Sequence, residues 1–122
     1  METTKRYYTE FHIAGVQYHD ADLVWDQLRI GTQLHLVREA DNRYDPNAVA
    51  ITYSSSDSLS TGQEVLLGYV PSSDNADIAL LLDAGWDGIF DCRLSRINPE
   101  AHYEQQLHVK IRINNNPAAN RG

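Results

Sequence analysis

Along most of this chain apolar and polar residues alternate with a period of two, the spacing that sends successive side chains to opposite faces of a strand. Tyr7 to Ala14 is rich in β-formers and ends at Gly15, which predicts a first strand and a bend, with Val16-Gln17-Tyr18-His19 continuing the strand or forming its lip. Leu34 and Leu36 alternate with Gln33 and His35 in a second strand over Thr32 to Val37, and Ala48 to Tyr53 gives a third. Glu64 to Val70 is a fourth, closed by Pro71, which has no N–H to continue a ladder. Gly88 to Ile97 and Tyr103 to Ile113 supply the fifth and sixth, joined through a turn at Asn98-Pro99-Glu100. In the sixth, Leu107, Val109, Ile111 and Ile113 alternate with His108, Lys110 and Arg112, so the first set is expected in the core.

The helical period shows in two places. Asp20 to Leu28 offers a capping Asp and apolar residues at Val24, Trp25 and Leu28, which suits a short helix or helical turn. A clearer helix runs from a cap at Ser72 or Ser73 through Ala84, with Ile78, Leu81 and Leu82 on one face and Gly85 as its stop. Ser54 to Gly62 lacks the apolar content to pack and reads as a hairpin tip, while Asn114 to Gly122 is expected to fray as a flexible tail. Six short strands, one substantial helix and no βαβ alternation predict a mainly β domain over residues 7–113, a small six-stranded barrel of OB-like or SH3-like size. That architecture serves many unrelated functions.

Between the second and third strands lies Arg38-Glu39-Ala40-Asp41-Asn42-Arg43-Tyr44-Asp45-Pro46-Asn47. Asn42, Asp45 and Asn47 can bond neighbouring backbone groups and Pro46 presets φ, so this loop is predicted to be rigid. Tyr44, flanked by charged Arg43 and Asp45, is the side chain such a loop would present. Taken alone, the simpler account is a hairpin connection whose Asp and Asn residues only hold the turn.

Length and composition narrow the picture. At 122 residues and 42% hydrophobic content the chain suits one domain with a modest core. Its one cysteine, Cys92, excludes an internal disulfide and a cysteine-based zinc cluster, and shares a face with Phe90 and Leu94, where a thiol behaves as a small apolar group. There is no apolar leader segment at Met1 to Arg6 and no run long enough to span a bilayer, which leads us to expect a cytoplasmic protein. His12, His19, His35, His102 and His108 share no metal-ligand spacing. Asp41, Asp45, Asp74 and Asp77 are the carboxylates that could gather a metal, but Asp74 and Asp77 fit the first turn of a helix better. No nucleophile and base pair stands out, so neither catalysis nor a metal or cofactor is expected. Trp25 and Trp86 have apolar neighbours and suit core or rim packing. The net charge of −7 opposes nonspecific nucleic-acid binding, and the ten basic residues look scattered; Arg93/Arg96 and Lys110/Arg112 read as solvated faces of strands.

Four separated segments nevertheless fall into a familiar order. Ala14-Gly15-Val16-Gln17-Tyr18, Leu36-Val37-Arg38-Glu39, Asn42-Arg43-Tyr44-Asp45-Pro46-Asn47-Ala48-Val49 and Leu67-Gly68-Tyr69-Val70-Pro71 together resemble the HIRAN domain family over about Phe11 to Ile113. The resemblance implies an OB-like fold that binds the 3′ end of single-stranded DNA, with DNA repair or replication proteins as candidate partners. By position, Tyr18 and Tyr44 match aromatics that stack on terminal nucleotides, Asp45 an acidic residue that recognises the free 3′-hydroxyl, and Tyr103 an aromatic beside a neighbouring base. Asn42 lies in the same loop, and Tyr69 stands where some relatives have histidine. Gln17 and Ser72 are neutral where DNA-binding relatives carry cations that meet phosphates, which removes counterion-release contributions. A protein-interaction module on the same barrel is therefore the competing expectation.

Overall fold

The computed structural model describes residues 6–54, 64–86 and 88–114, the side chain of Gln17 excepted. Six strands form one antiparallel sheet: β1 (Arg6–His12), β2 (Gln33–Arg38), β3 (Val49–Ser54), β4 (Glu64–Tyr69), β5 (Phe90–Ile97) and β6 (Leu107–Ile113), in spatial order β1-β6-β5-β2-β3-β4. The alternation in β6 sets its register as expected, with Leu107, Val109 and Ile111 buried, Arg112 exposed, and His108, Lys110 and Ile113 between. These side chains join Ile13, Val49, Ile51, Leu67, Ile78 and Leu94 in one apolar core. Cys92 is buried there, and burial pushes its thiol far above the ordinary range, so it is inert packing.

The sheet does not close into the expected barrel. Its edges, β1 and β4, are not paired along their lengths. After β1 ends at His12, the chain meets β4 at a single antiparallel bridge in which Ala14 N–H donates to Tyr69 C=O at 2.8 Å and Tyr69 N–H to Ala14 C=O at 2.9 Å. Gly68 makes this approach possible, because a Cβ there would stand 2.4 Å from the Ala14 carbonyl oxygen and 2.6 Å from Ile13 Cγ2. Gly15 then bends the chain at φ 74° into a 3-10 turn, Val16–Tyr18.

Helical content departs from expectation in its boundaries. The Asp20–Leu28 segment splits into a one-turn α1 (Ala21–Val24) and a 3-10 turn (Trp25–Gln27). The main helix, α2 (Ala76–Asp83), starts later than the predicted caps: Ser72, Ser73 and Asp74 form a turn, with Asp74 N–H on Pro71 C=O at 2.8 Å, and Asn75 occupies the cap position. Asn75 is 1% exposed and turns its side chain away from the helix end. Gly85 stops α2 as expected, its N–H on Leu82 C=O and that of Trp86 on Leu81 C=O, both at 3.0 Å. Ile78 and Ala79 are buried beneath α2, while Trp86 is exposed; Trp25 packs against the core. Tyr103 opens a 3-10 turn, Tyr103–Gln105, instead of starting β6. The tail does not fray from Asn114, whose N–H donates to Ile89 C=O at 2.8 Å and whose amide donates to Gly88 C=O at 3.0 Å. The expected hairpin tip, beyond Ser54, and the rest of the tail lie outside the described residues.

Gly68→Ala tests the close approach. Forcing a methyl group against a backbone carbonyl should cost roughly 1–3 kcal/mol, as overpacking does elsewhere. Urea unfolding that matches the parent within 0.5 kcal/mol would show that β4 and the Ala14 segment separate at little cost.

Candidate nucleic-acid interface

The loop between β2 and β3 is held by its own polar side chains. Asn42 Oδ1 accepts from the N–H of Tyr44 at 2.8 Å and of Asp45 at 3.0 Å, and Asp45 Oδ1 accepts from the Asn47 N–H at 2.8 Å. Arg38 fastens the loop from below: Nη2 donates to Pro46 C=O at 2.7 Å, Nη1 to Ala48 C=O at 3.0 Å, and Nε to Asp83 Oδ1 on α2 at 3.0 Å. The second oxygen of Asp45 accepts from buried Asn75 Nδ2 at 2.8 Å. A buried amide left without this partner would carry its desolvation penalty, so Asn75 locks the loop to the start of α2. The outcome is a stiff loop with Tyr44 projecting at 95% exposure.

A polar chain continues from the loop to the strands. Asn42 Nδ2 donates to Glu39 Oε1 at 3.0 Å, and the Tyr69 hydroxyl donates to the same oxygen at 2.9 Å. Burial, with the Glu39 hydrogen bond and charge added, pushes the Tyr69 phenol up to about 12, so it stays a donor at neutral pH. Because this phenol is raised in the fold, its stabilising effect is complete below its ordinary value of 10.0 and fades as pH climbs toward about 12. His19 sets its ring edge-on to Tyr69 with centroids 5.4 Å apart. Just before it, the Val16–Tyr18 turn packs against the Tyr103–Gln105 turn. Tyr18 and Tyr103 are 77% and 54% exposed.

The structure thus links most of the residues singled out from sequence. Asn42, Tyr44, Asp45 and Tyr69 belong to one bonded network, and Tyr18 and Tyr103 occupy adjoining turns connected to it through His19. Ser72 lies in the exposed turn three residues before Asn75, outside the bonded network. Gln17 falls on the Tyr18 turn, its side chain undescribed. Sequence reasoning gave no role to Arg38, Glu39, His19 or Asn75. For Asn75 the available signal, a polar residue ahead of an apolar helix, reads equally as a cap.

A family model, HIRAN domain, matches residues 7–114. The chain belongs to the HIRAN domain family. A crystal structure of a protein from Lactobacillus plantarum shares the fold, with a TM-score of 0.67 at 24% identity over 93% of this chain and 100% of that one. No curated protein matches the chain.

Asn75→Asp probes the lock between loop and helix. It would set a second carboxylate against Asp45 in a buried site, and the loss of stability should be about 3 kcal/mol at pH 7. Like charges raise the affinity of the pair for a proton, so the loss should shrink as pH falls through the carboxylate range. Urea melts at pH 7 and pH 4 that lose the same amount would detach Asn75 from Asp45.

Proposed function

We propose that this domain is a nucleic-acid end-binding module that takes the 3′ terminus of single-stranded DNA. The observation that carries the reading is Tyr44, a ring at 95% exposure on a loop immobilised by its own hydrogen bonds, beside a carboxylate. Fixing in advance the loop backbone that carries an exposed aromatic lowers the entropy cost of stacking, and aromatic faces accept any base. Tyr18 and Tyr103 would meet the following nucleotides from the adjoining turns, as the family resemblance implies. Asp45 spends one hydrogen bond per oxygen on the fold, leaving lone pairs for a sugar hydroxyl. No step of bond making or breaking is assigned to these residues; the reading is binding without catalysis. DNA repair or replication proteins are the partners such an end-binder would serve.

A protein-interaction role is the second reading, favoured by the net charge of −7 and the neutral Ser72. Fluorescence anisotropy with short oligonucleotides decides between them. Tyr44→Ala should weaken single-strand binding by roughly 1–3 kcal/mol with an unchanged melting temperature, since the ring lies outside the core. Unchanged affinity would remove Tyr44 from the site.

End chemistry is the sharper test. A 3′-phosphate would oppose the Asp45 carboxylate, so the 3′-hydroxyl oligonucleotide should bind more tightly than its phosphorylated twin. Asp45→Asn should narrow the gap, with stability followed in parallel because Asp45 also holds Asn47 and Asn75. Equal affinity of the wild-type protein for both ends would end the proposed role of Asp45. Absence of binding to either would favour the protein-interaction reading.

A further inference from the structure

The basic residues that look scattered along the sequence converge on the outer face of β5 and β6. In the register of these strands Arg93 pairs with Lys110, Asp91 with Arg112, and Arg96 with His108. Four of the chain's ten Lys and Arg residues therefore share one surface, opposite the face that Leu94, Val109 and Ile111 bury in the core. Asp91 offsets one of them, accepting from Arg93 Nε at 3.2 Å, and Glu10 lies across from Lys110 on β1. Among the described residues Arg96, Lys110 and Arg112 are in no ion pair. The remaining balance is positive on a protein whose total is −7.

Two local features make this face more than a solvated strand surface. Ser95 is the extra residue of a β-bulge, falling between the Leu94–Val109 and Arg96–His108 pairs. Its hydroxyl is buried and, among the described residues, has no hydrogen-bond partner. It lines a cleft of about 200 Å³ together with Gly31, Asp91, Arg93, Lys110 and Arg112. Three cations line the cleft against one carboxylate, itself bonded to Arg93, and that balance suits a phosphate group. The strip also has a direction. From Arg112 to His108 it covers about 13 Å at the usual strand rise, and beyond Arg96 and His108 the β5–β6 connection carries Tyr103.

We infer that this face carries the phosphodiester backbone of a single strand whose 3′ end sits at Tyr44, the backbone running from the Tyr103 turn along Arg96, Lys110, Arg93 and Arg112. The inference rests on the end-binding reading and supplies the cations that Ser72 does not. It also explains how an acidic protein could hold a polyanion, since local charge and not the total governs counterion release.

The test compares a trinucleotide with a 12-nucleotide strand, both with free 3′-hydroxyls, on the full chain and on Lys110→Gln/Arg112→Gln. Losing two phosphate contacts should reduce the salt slope for the longer strand by about 1.4 and weaken it about 25-fold at 0.1 M salt, with trinucleotide affinity unchanged. Equal slopes and affinities in parent and variant would overturn the inference. Amide chemical shifts on the wild-type protein provide a measurement independent of the variant's folding: the longer strand should move residues 91–96 and 108–112. The same movement with inorganic phosphate alone at equal concentration would assign the cleft to a small anion and overturn the strand path. If the longer strand depends on Lys110 and Arg112 but binds equally with either 3′ end, the end reading fails and the cationic face stands. A strand that moves only the amides of residues 42–47 overturns the strand path and leaves the end reading, and one that moves neither these nor the amides of 91–96 and 108–112 overturns both.

Discussion

The closest constraint in this fold is the contact between the Gly68 backbone and the Ala14 carbonyl. Only a residue without a side chain lets β4 meet the segment that follows β1. Through that one bridge the Tyr18 turn is delivered beside Tyr69, and Tyr69 in turn anchors the polar chain leading to the Tyr44 loop. The two ends of the sheet are joined where the candidate site needs them joined, without a continuous ladder between β1 and β4.

Rigidity of the site comes from carboxylates and amides that bond inward while an aromatic ring points outward. Asp45, Asn42 and Arg38 satisfy backbone groups of the loop, and Asn75 extends the same logic to α2. Asp45 therefore has a structural duty whatever it binds. Holding the turn and meeting a terminal hydroxyl are compatible, because each carboxylate oxygen accepts more than one hydrogen bond. Ordering paid for during folding is not charged again on binding.

Electrostatics divides the molecule in the same way. The net charge of −7 says nothing about how charge is arranged, and pairing β5 with β6 collects Arg93, Arg96, Lys110 and Arg112 on one face. Cross-strand neighbours far apart in sequence sit about 5 Å apart in a sheet, well inside a Debye length, so they act as one patch.

Strand existence, the core face of β6, the stop at Gly85 and the rigidity and exposure of the Tyr44 loop were legible in the sequence, because alternation, glycine and Asx-type turn residues act over a few positions. The family was legible too, since its motifs are local strings. Tertiary structure alone decided the rest: Asn75 abandoning the cap for Asp45, Tyr69 reaching Glu39, β1 and β4 meeting at one bridge, and separated cations sharing a surface. Each of these joins residues well separated along the chain, and a pattern read over neighbouring positions carries no information about which distant group will satisfy a buried donor or stand across a ladder.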